Sequence, residues 1–63
     1  MNKLRDYRMK KGLTQDELAC LICVDRSTIS KWENGENYPK IDRLFQISRV
    51  LEVTIDQLLE NIK

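Results

Sequence analysis

The 63-residue chain has no histidine, one proline, two glycines and only two cysteines. Without histidine it lacks the most frequent general base and metal ligand, and two thiols cannot supply the four ligands of a structural zinc site. No apolar run approaches the roughly 20 residues of a membrane helix, and no signal-peptide pattern opens the chain. We therefore expect a cytoplasmic protein that is not an enzyme, with no metal, no cofactor and no membrane partner.

The chain length predicts a single domain, residues 1–63, near the lower size limit at which one hydrophobic core is sufficient. A hydrophobic content of 41% with 33% charged residues is ordinary for a globular domain. A core of this size leaves little room for an enclosed catalytic cleft. These properties favour a binding function over catalysis.

The net charge of +1 is unevenly distributed along the chain. Residues 1–12 carry five basic side chains and one aspartate, a local charge of +4, whereas residues 52–63 carry −2. A basic first helix is compatible with docking against phosphate, but it is equally typical of a solvated helix face. The charge pattern alone leaves both interpretations open.

Apolar spacing and capping residues predict an all-α fold of five short helices. Gly12 is expected to end the first helix, and Thr14 with Glu17 has the spacing of a capping box. Asp25 and Thr54 are expected to cap the third and fifth helices. The predicted ranges are about 1–11, 15–22, 26–33 and 41–51, followed by a fifth helix in which Ile55, Leu58 and Leu59 return to the core. No segment alternates long enough to predict a strand.

The most informative segment, residues 15–33, predicts two helices joined by a sharp corner. Leu18, Ala19 and Ile22 share one face of the first, and Ile29 and Trp32 share a face of the second. The faces of the second helix that remain free carry polar and basic side chains: Arg26, Ser27, Ser30 and Lys31. The opening residues of such a helix reach base edges in the major groove of DNA.

In these residues the chain resembles the phage-repressor helix-turn-helix family, which includes lambda repressor and Cro-like (XRE-type) proteins. The resemblance rests on Leu13-Thr14-Gln15-Asp16-Glu17-Leu18-Ala19, on Val24, and on Ser27-Thr28-Ile29-Ser30-Lys31-Trp32-Glu33-Asn34-Gly35. It continues through Tyr38-Pro39 and Leu44-Phe45-Gln46-Ile47 to Asp56-Gln57-Leu58-Leu59. It therefore covers nearly the whole chain.

The resemblance implies a role for each residue of the predicted DNA-binding surface. The positions implied to contact bases are Arg26, Ser27 and Lys31. The positions implied to contact phosphates are Gln15, Thr28, Ser30, Asn34, Tyr38, Lys40 and Arg43. It also implies that Arg8 and Glu33 form an ion pair. At the positions that Cys23 and Glu52 hold in this chain, relatives often have glycine in a left-handed backbone conformation. The i, i+3 spacing from Ile29 favours Trp32 as a core residue over a stacking platform for bases.

The cysteine pair Cys20-x-x-Cys23 is interpreted as reduced thiols that serve as small apolar residues. Cys20 and Leu21 lie where relatives usually carry polar side chains, and Phe45 and Val50 lie away from the clearest core stripe. These four residues either thicken a small core or form an exposed patch that a partner covers.

Together these features predict a sequence-specific transcriptional regulator, a repressor, that binds double-stranded DNA as a homodimer on a palindromic site. The alternative is a protein-interaction module with the same fold that binds a partner protein through Leu21 or Phe45. Arg26, Ser27, Thr28 and Lys31 on one exposed edge favour DNA, because an adaptor has no need of them.

Overall fold

Five short helices form the chain in the computed structural model, which describes the backbone of residues 2–59 and the side chains from residue 3. The helices are α1 (Asn2–Lys10), α2 (Gln15–Leu21), α3 (Arg26–Glu33), α4 (Ile41–Leu51) and α5 (Ile55–Leu59). The described residues contain no strand, which confirms the all-α prediction; the predicted start at Met1 lies outside them. The longest helix, α4, has 11 residues, so no helix in this part of the chain could span a bilayer.

One hydrophobic core holds the helices together, with α2 packed on α3, α1 on α3 and α5, and α4 on α5. All five helices contribute to it, through Leu4, Leu18, Ala19, Ile22, Ile29, Trp32, Leu44, Ile47, Leu51 and Leu58. Leu58 is fully buried, but Leu59 is 37% exposed, so its predicted return to the core is wrong. Successive helical residues point about 100° apart, and in the single turn of α5 it is Leu58 that faces the core.

Two residues with Cβ atoms occupy the left-handed conformation at helix ends. Gly12 and Gly35 adopt φ values of 76° and 77° after α1 and α3. Cys23 and Glu52 adopt φ values of 59° and 57° after α2 and α4, as the family resemblance implied. Each follows a helix whose last carbonyls accept backbone N–H groups from beyond the end, a Schellman-type ending.

Side-chain caps fix where three of the helices begin. Thr14 accepts from the Glu17 N–H at 3.0 Å while the Glu17 carboxylate accepts from the Thr14 N–H at 2.8 Å, which confirms the capping box. Asp25 accepts from the Ser27 N–H at 3.1 Å at the start of α3. Thr54 accepts from the Gln57 N–H at 3.0 Å. The cap at Asp25 fixes the first turn of α3.

Candidate nucleic-acid interface

A sharp corner of four residues, 22–25, separates α2 from α3. Ala19 is 3% exposed, and its small side chain lets α3 lie close to α2. Ile29 and Trp32 are buried, and Val24 is half-buried and packs against the core from the corner. This packing places one face of α3 inward and leaves its first turn exposed.

Glu33, at the end of α3, ties the first three helices together. It is 2% exposed, and its Oε2 accepts from Arg8 Nε at 2.6 Å. Its Oε1 accepts from Gln15 Nε2 at 3.0 Å and from Arg8 Nη2 at 3.3 Å. The Arg5 Nε lies 3.7 Å from Oε1. The ion pair between Arg8 and Glu33 is confirmed, and α1, α2 and α3 meet at one buried carboxylate.

The three side chains predicted to contact bases are all exposed on α3. Two of them are paired with carboxylates in the free chain. Arg26 Nε lies 3.4 Å from Asp16 Oδ1, and the Ser27 hydroxyl donates to Asp25. The hydrogen bonds from the Ser27 hydroxyl and N–H, helped by the Arg26 charge, lower the pKa of Asp25 below its ordinary value of 3.8. Asp25 is therefore ionised at neutral pH, and the first turn of α3 carries nearly balanced charge.

The residues predicted to contact phosphates lie in two settings. Gln15, Thr28, Ser30 and Arg43 are half-buried, whereas Asn34, Tyr38 and Lys40 are exposed in or beside the loop between α3 and α4. Tyr38 is 56% exposed.

Two of these phosphate-contact candidates also make contacts within the fold that the sequence did not indicate. Arg43 Nη1 donates to the Ile22 carbonyl at 3.0 Å and to Gln46 Oε1 at 2.8 Å. Gln15 binds Glu33 as described above. The sequence predicts only that carbonyls at the end of α2 lack partners within the helix. It does not indicate that the Arg43 side chain will reach one of them.

Most of the basic side chains in residues 3–11 have a partner within the chain. Arg5 and Arg8 lie beside Glu33, and Lys11, just after α1, pairs with Glu52. The Lys10 ammonium lies 5.7 Å from the centre of the Tyr7 ring. These contacts support a structural role for α1 more than phosphate docking.

The positions left open by the sequence fall into two groups. Val50 is half-buried and packs against the core. Leu21 and Phe45 are 57% and 55% exposed, so they form no part of the core. Cys20 and Cys23 are exposed free thiols, so their interpretation as small apolar packing residues is wrong. No group of three or more metal-ligating side chains occurs within residues 2–59.

Comparison with known proteins agrees with this geometry. The family HTH_3, Helix-turn-helix, matches residues 4–58. The HTH-type transcriptional activator BcrR of Enterococcus faecalis is 49% identical over 57 residues, which are 90% of this chain and 28% of BcrR. The cryptic phage CTXphi transcriptional repressor RstR of Vibrio cholerae is 30% identical over 60 residues, 95% of this chain and 54% of RstR.

Among solved structures, an HTH_3 family transcriptional regulator from Vibrio cholerae superposes with a TM-score of 0.79 at 31% identity. The match covers 97% of this chain and 34% of that protein. The chain thus spans about a quarter to a half of the length of these relatives. The chain belongs to the HTH_3 helix-turn-helix family.

Proposed function

We propose that the chain is a sequence-specific DNA-binding transcriptional regulator that acts in the cytoplasm and reads the major groove with α3. The observation that carries this proposal is the exposed first turn of α3. The helix itself is fixed at its start by the Asp25 cap and at its end by buried Glu33. A helix fixed at both ends can present side chains to base edges with little loss of entropy on binding. The relatives BcrR, named as a transcriptional activator, and RstR, named as a transcriptional repressor, support a role in transcription regulation.

We assign base contacts to Arg26, Ser27 and Lys31. Arginine and lysine are the commonest donors to guanine, and a serine hydroxyl can donate or accept. In the free chain Arg26 and Ser27 are turned toward Asp16 and Asp25. To contact a base edge, each side chain must therefore give up its contact with a carboxylate. Only a matching base offsets the loss of that contact.

We assign phosphate contacts to the residues that flank this turn: Gln15, Thr28, Ser30, Asn34, Tyr38, Lys40 and Arg43. Gln15 illustrates the arrangement. One hydrogen of its amide nitrogen binds Glu33, and the second can donate to a phosphate oxygen. The contact within the fold thus orients the amide and does not exclude a phosphate.

We further propose that the protein binds as a homodimer on a palindromic site and acts as a repressor. A single small domain buries a modest area on DNA, so two half-sites about 34 Å apart would raise the affinity. Repression needs only occupancy of promoter DNA by the surface described here. Activation would require a further contact with the transcription machinery.

Selection of bound duplexes from a random library tests this function directly. The expected result is an enriched palindrome whose half-sites are separated by one helical turn, about 10 base pairs. Enrichment of a single half-site would contradict the homodimer, and no enrichment at all would contradict sequence-specific binding.

Substitutions on the selected site then test how the contacts divide. Arg26→Ala should weaken binding by about 1–3 kcal/mol and relax the preference at one base position per half-site. Gln15→Ala should weaken selected and scrambled DNA by similar factors, because phosphates carry no sequence information. Arg49→Ala, an exposed arginine on α4 outside the predicted surface, is the matched control and should leave sequence preference unchanged.

The adaptor alternative draws only on the exposed Leu21 and Phe45. The comparisons do not favour it, because they match a transcriptional activator, a transcriptional repressor and the solved structure of a transcriptional regulator. It gains support only if Arg26→Ala and Lys31→Ala leave DNA affinity and preference unchanged in a folded protein.

A further inference from the structure

The two cysteines of the chain lie together at the corner between α2 and α3 and have no role in the proposed DNA contact. Cys20 is in the last turn of α2, and Cys23 lies two residues after that helix ends. Both are free thiols on the exposed surface. They add nothing to the core, and small oxidants can reach both.

The backbone brings the two residues to a spacing that suits a disulfide. The Cys23 N–H donates to the Cys20 carbonyl at 3.3 Å, which closes a four-residue turn. In such turns the first and fourth Cα atoms lie within about 7 Å. Disulfides span Cα separations of about 4.4–6.8 Å, so a turn of this kind brings the two Cα atoms within the range of a disulfide.

Backbone strain at Cys23 is a second, independent observation. Its φ of 59° is a conformation that glycine adopts freely and that residues with a Cβ adopt at a cost. Gly12 and Gly35 occupy the equivalent place after α1 and α3. An exposed side chain does not offset this cost by packing, so the chemistry of the thiol is its remaining contribution.

We propose that Cys20 and Cys23 form a redox-active dithiol that closes into an intrachain disulfide by exchange with a low-molecular-weight disulfide. One thiolate attacks the small disulfide, forming a mixed disulfide and releasing one small thiolate. The second cysteine thiolate attacks the sulfur of the first cysteine and releases the other small thiolate. The dithiol thus loses two electrons and two protons, and the small disulfide gains them and becomes two thiols. Because the bond closes within the existing turn, α3 keeps its position.

Equilibration of the whole chain with reduced and oxidised glutathione, followed by alkylation and intact mass spectrometry, tests the proposal. The expected wild-type product takes up no alkyl group, and its mass is about 2 Da below that of the reduced chain before alkylation. Cys20→Ser and Cys23→Ser are the matched controls, and each should instead keep a glutathione adduct. A wild-type chain that keeps adducts as the single variants do would overturn the proposal.

Two further measurements test whether the existing turn favours the bond. Half of the folded chain should be oxidised at a ratio of reduced to oxidised glutathione about tenfold more reducing than the ratio that half-oxidises the urea-unfolded chain. The reason is that the turn raises the effective concentration of one cysteine thiol at the other. Equal ratios would overturn that claim. Trp32, the single tryptophan, lies buried on α3, and its emission maximum should not change on oxidation. A shift to longer wavelength would mean that α3 leaves the core and that the bond does not fit the turn.

Discussion

Replacing Glu33 with glutamine should destabilise the fold more than any conservative surface substitution. Glutamine keeps the shape of the side chain but removes its charge and exchanges one acceptor oxygen for a donor. The Arg8 Nε–H, which donates at 2.6 Å, loses a charged acceptor, and Gln15 loses part of its contact at 3.0 Å. The Arg8 side chain is 11% exposed, so water restores little of what is lost.

The magnitude follows from how much of Arg8 remains paired. Removing one partner of a buried ion pair costs about 3–5 kcal/mol. Arg8 still donates Nη1 to the Leu13 carbonyl at 2.7 Å, so we expect a loss at or somewhat below the lower end of that range, about 2–3 kcal/mol. A 63-residue domain has roughly 3–9 kcal/mol of stability in total, so the melting temperature should fall by roughly 10–20 °C.

Urea and thermal unfolding, followed by circular dichroism and Trp32 fluorescence, measure this loss, and a double-mutant cycle isolates the pair. Arg8→Met combined with Glu33→Gln should recover at least about 1 kcal/mol relative to the sum of the single losses. Arg5→Met is the matched control: Arg5 is more than half exposed, so its loss should stay below about 1 kcal/mol and shrink with salt. Additive losses in the cycle, within about 0.5 kcal/mol, would refute a coupled buried pair.

Three other substitutions and one metal-binding measurement test local features. Cys23→Gly should stabilise the reduced protein by about 0.5–1 kcal/mol, because glycine adopts the left-handed conformation without strain. Glu52→Gly should stabilise it by less, because this change also removes the ion pair with Lys11. A loss of stability in Cys23→Gly would contradict backbone strain at that position. Asp25→Asn keeps a good cap but cannot ionise, so the wild type should be more stable than the variant above pH 3.8. It should lose that advantage as the pH falls through the lowered pKa of Asp25 in the folded chain. A difference in melting temperature that does not change with pH would contradict this. Native mass spectrometry should find no zinc bound to a single chain, because two thiols cannot complete a tetrahedral site; one tightly held zinc per chain would contradict this.

The helices and their ends were predictable because their signals are local. Thr14 with Glu17, and Asp25 before α3, fix helix starts within three residues of sequence. The spacing of Ile29 and Trp32 identified the buried face of α3 in the same way. Leu59 was misplaced because apolar character alone does not indicate which of two adjacent leucines in a one-turn helix faces the core.

The contacts around the candidate site were less predictable because they join distant parts of the chain. The pair between Arg8 and Glu33 was implied by family resemblance and not by spacing, since 25 residues separate the partners. No local pattern identifies the partner in the Gln15 contact to Glu33 or in the Arg43 contact to the Ile22 carbonyl. Long polar side chains select partners only after the helices have packed, so their roles follow from the tertiary structure.

The balance of charge at the first turn of α3 bears on how the proposed regulator would discriminate among DNA sequences. Asp16 and Asp25 lie beside Arg26 and Ser27, so little positive charge at this turn remains unbalanced. Sequence-independent attraction to DNA grows with the number of phosphates that cations neutralise, and it should therefore be weak here. A matching base offsets the loss of the carboxylate contacts, whereas a mismatched base leaves Arg26 with poorer partners than it has in the free chain. If Arg26 and Ser27 contact bases as proposed, these carboxylates would lower the overall affinity and raise the ratio of specific to non-specific binding.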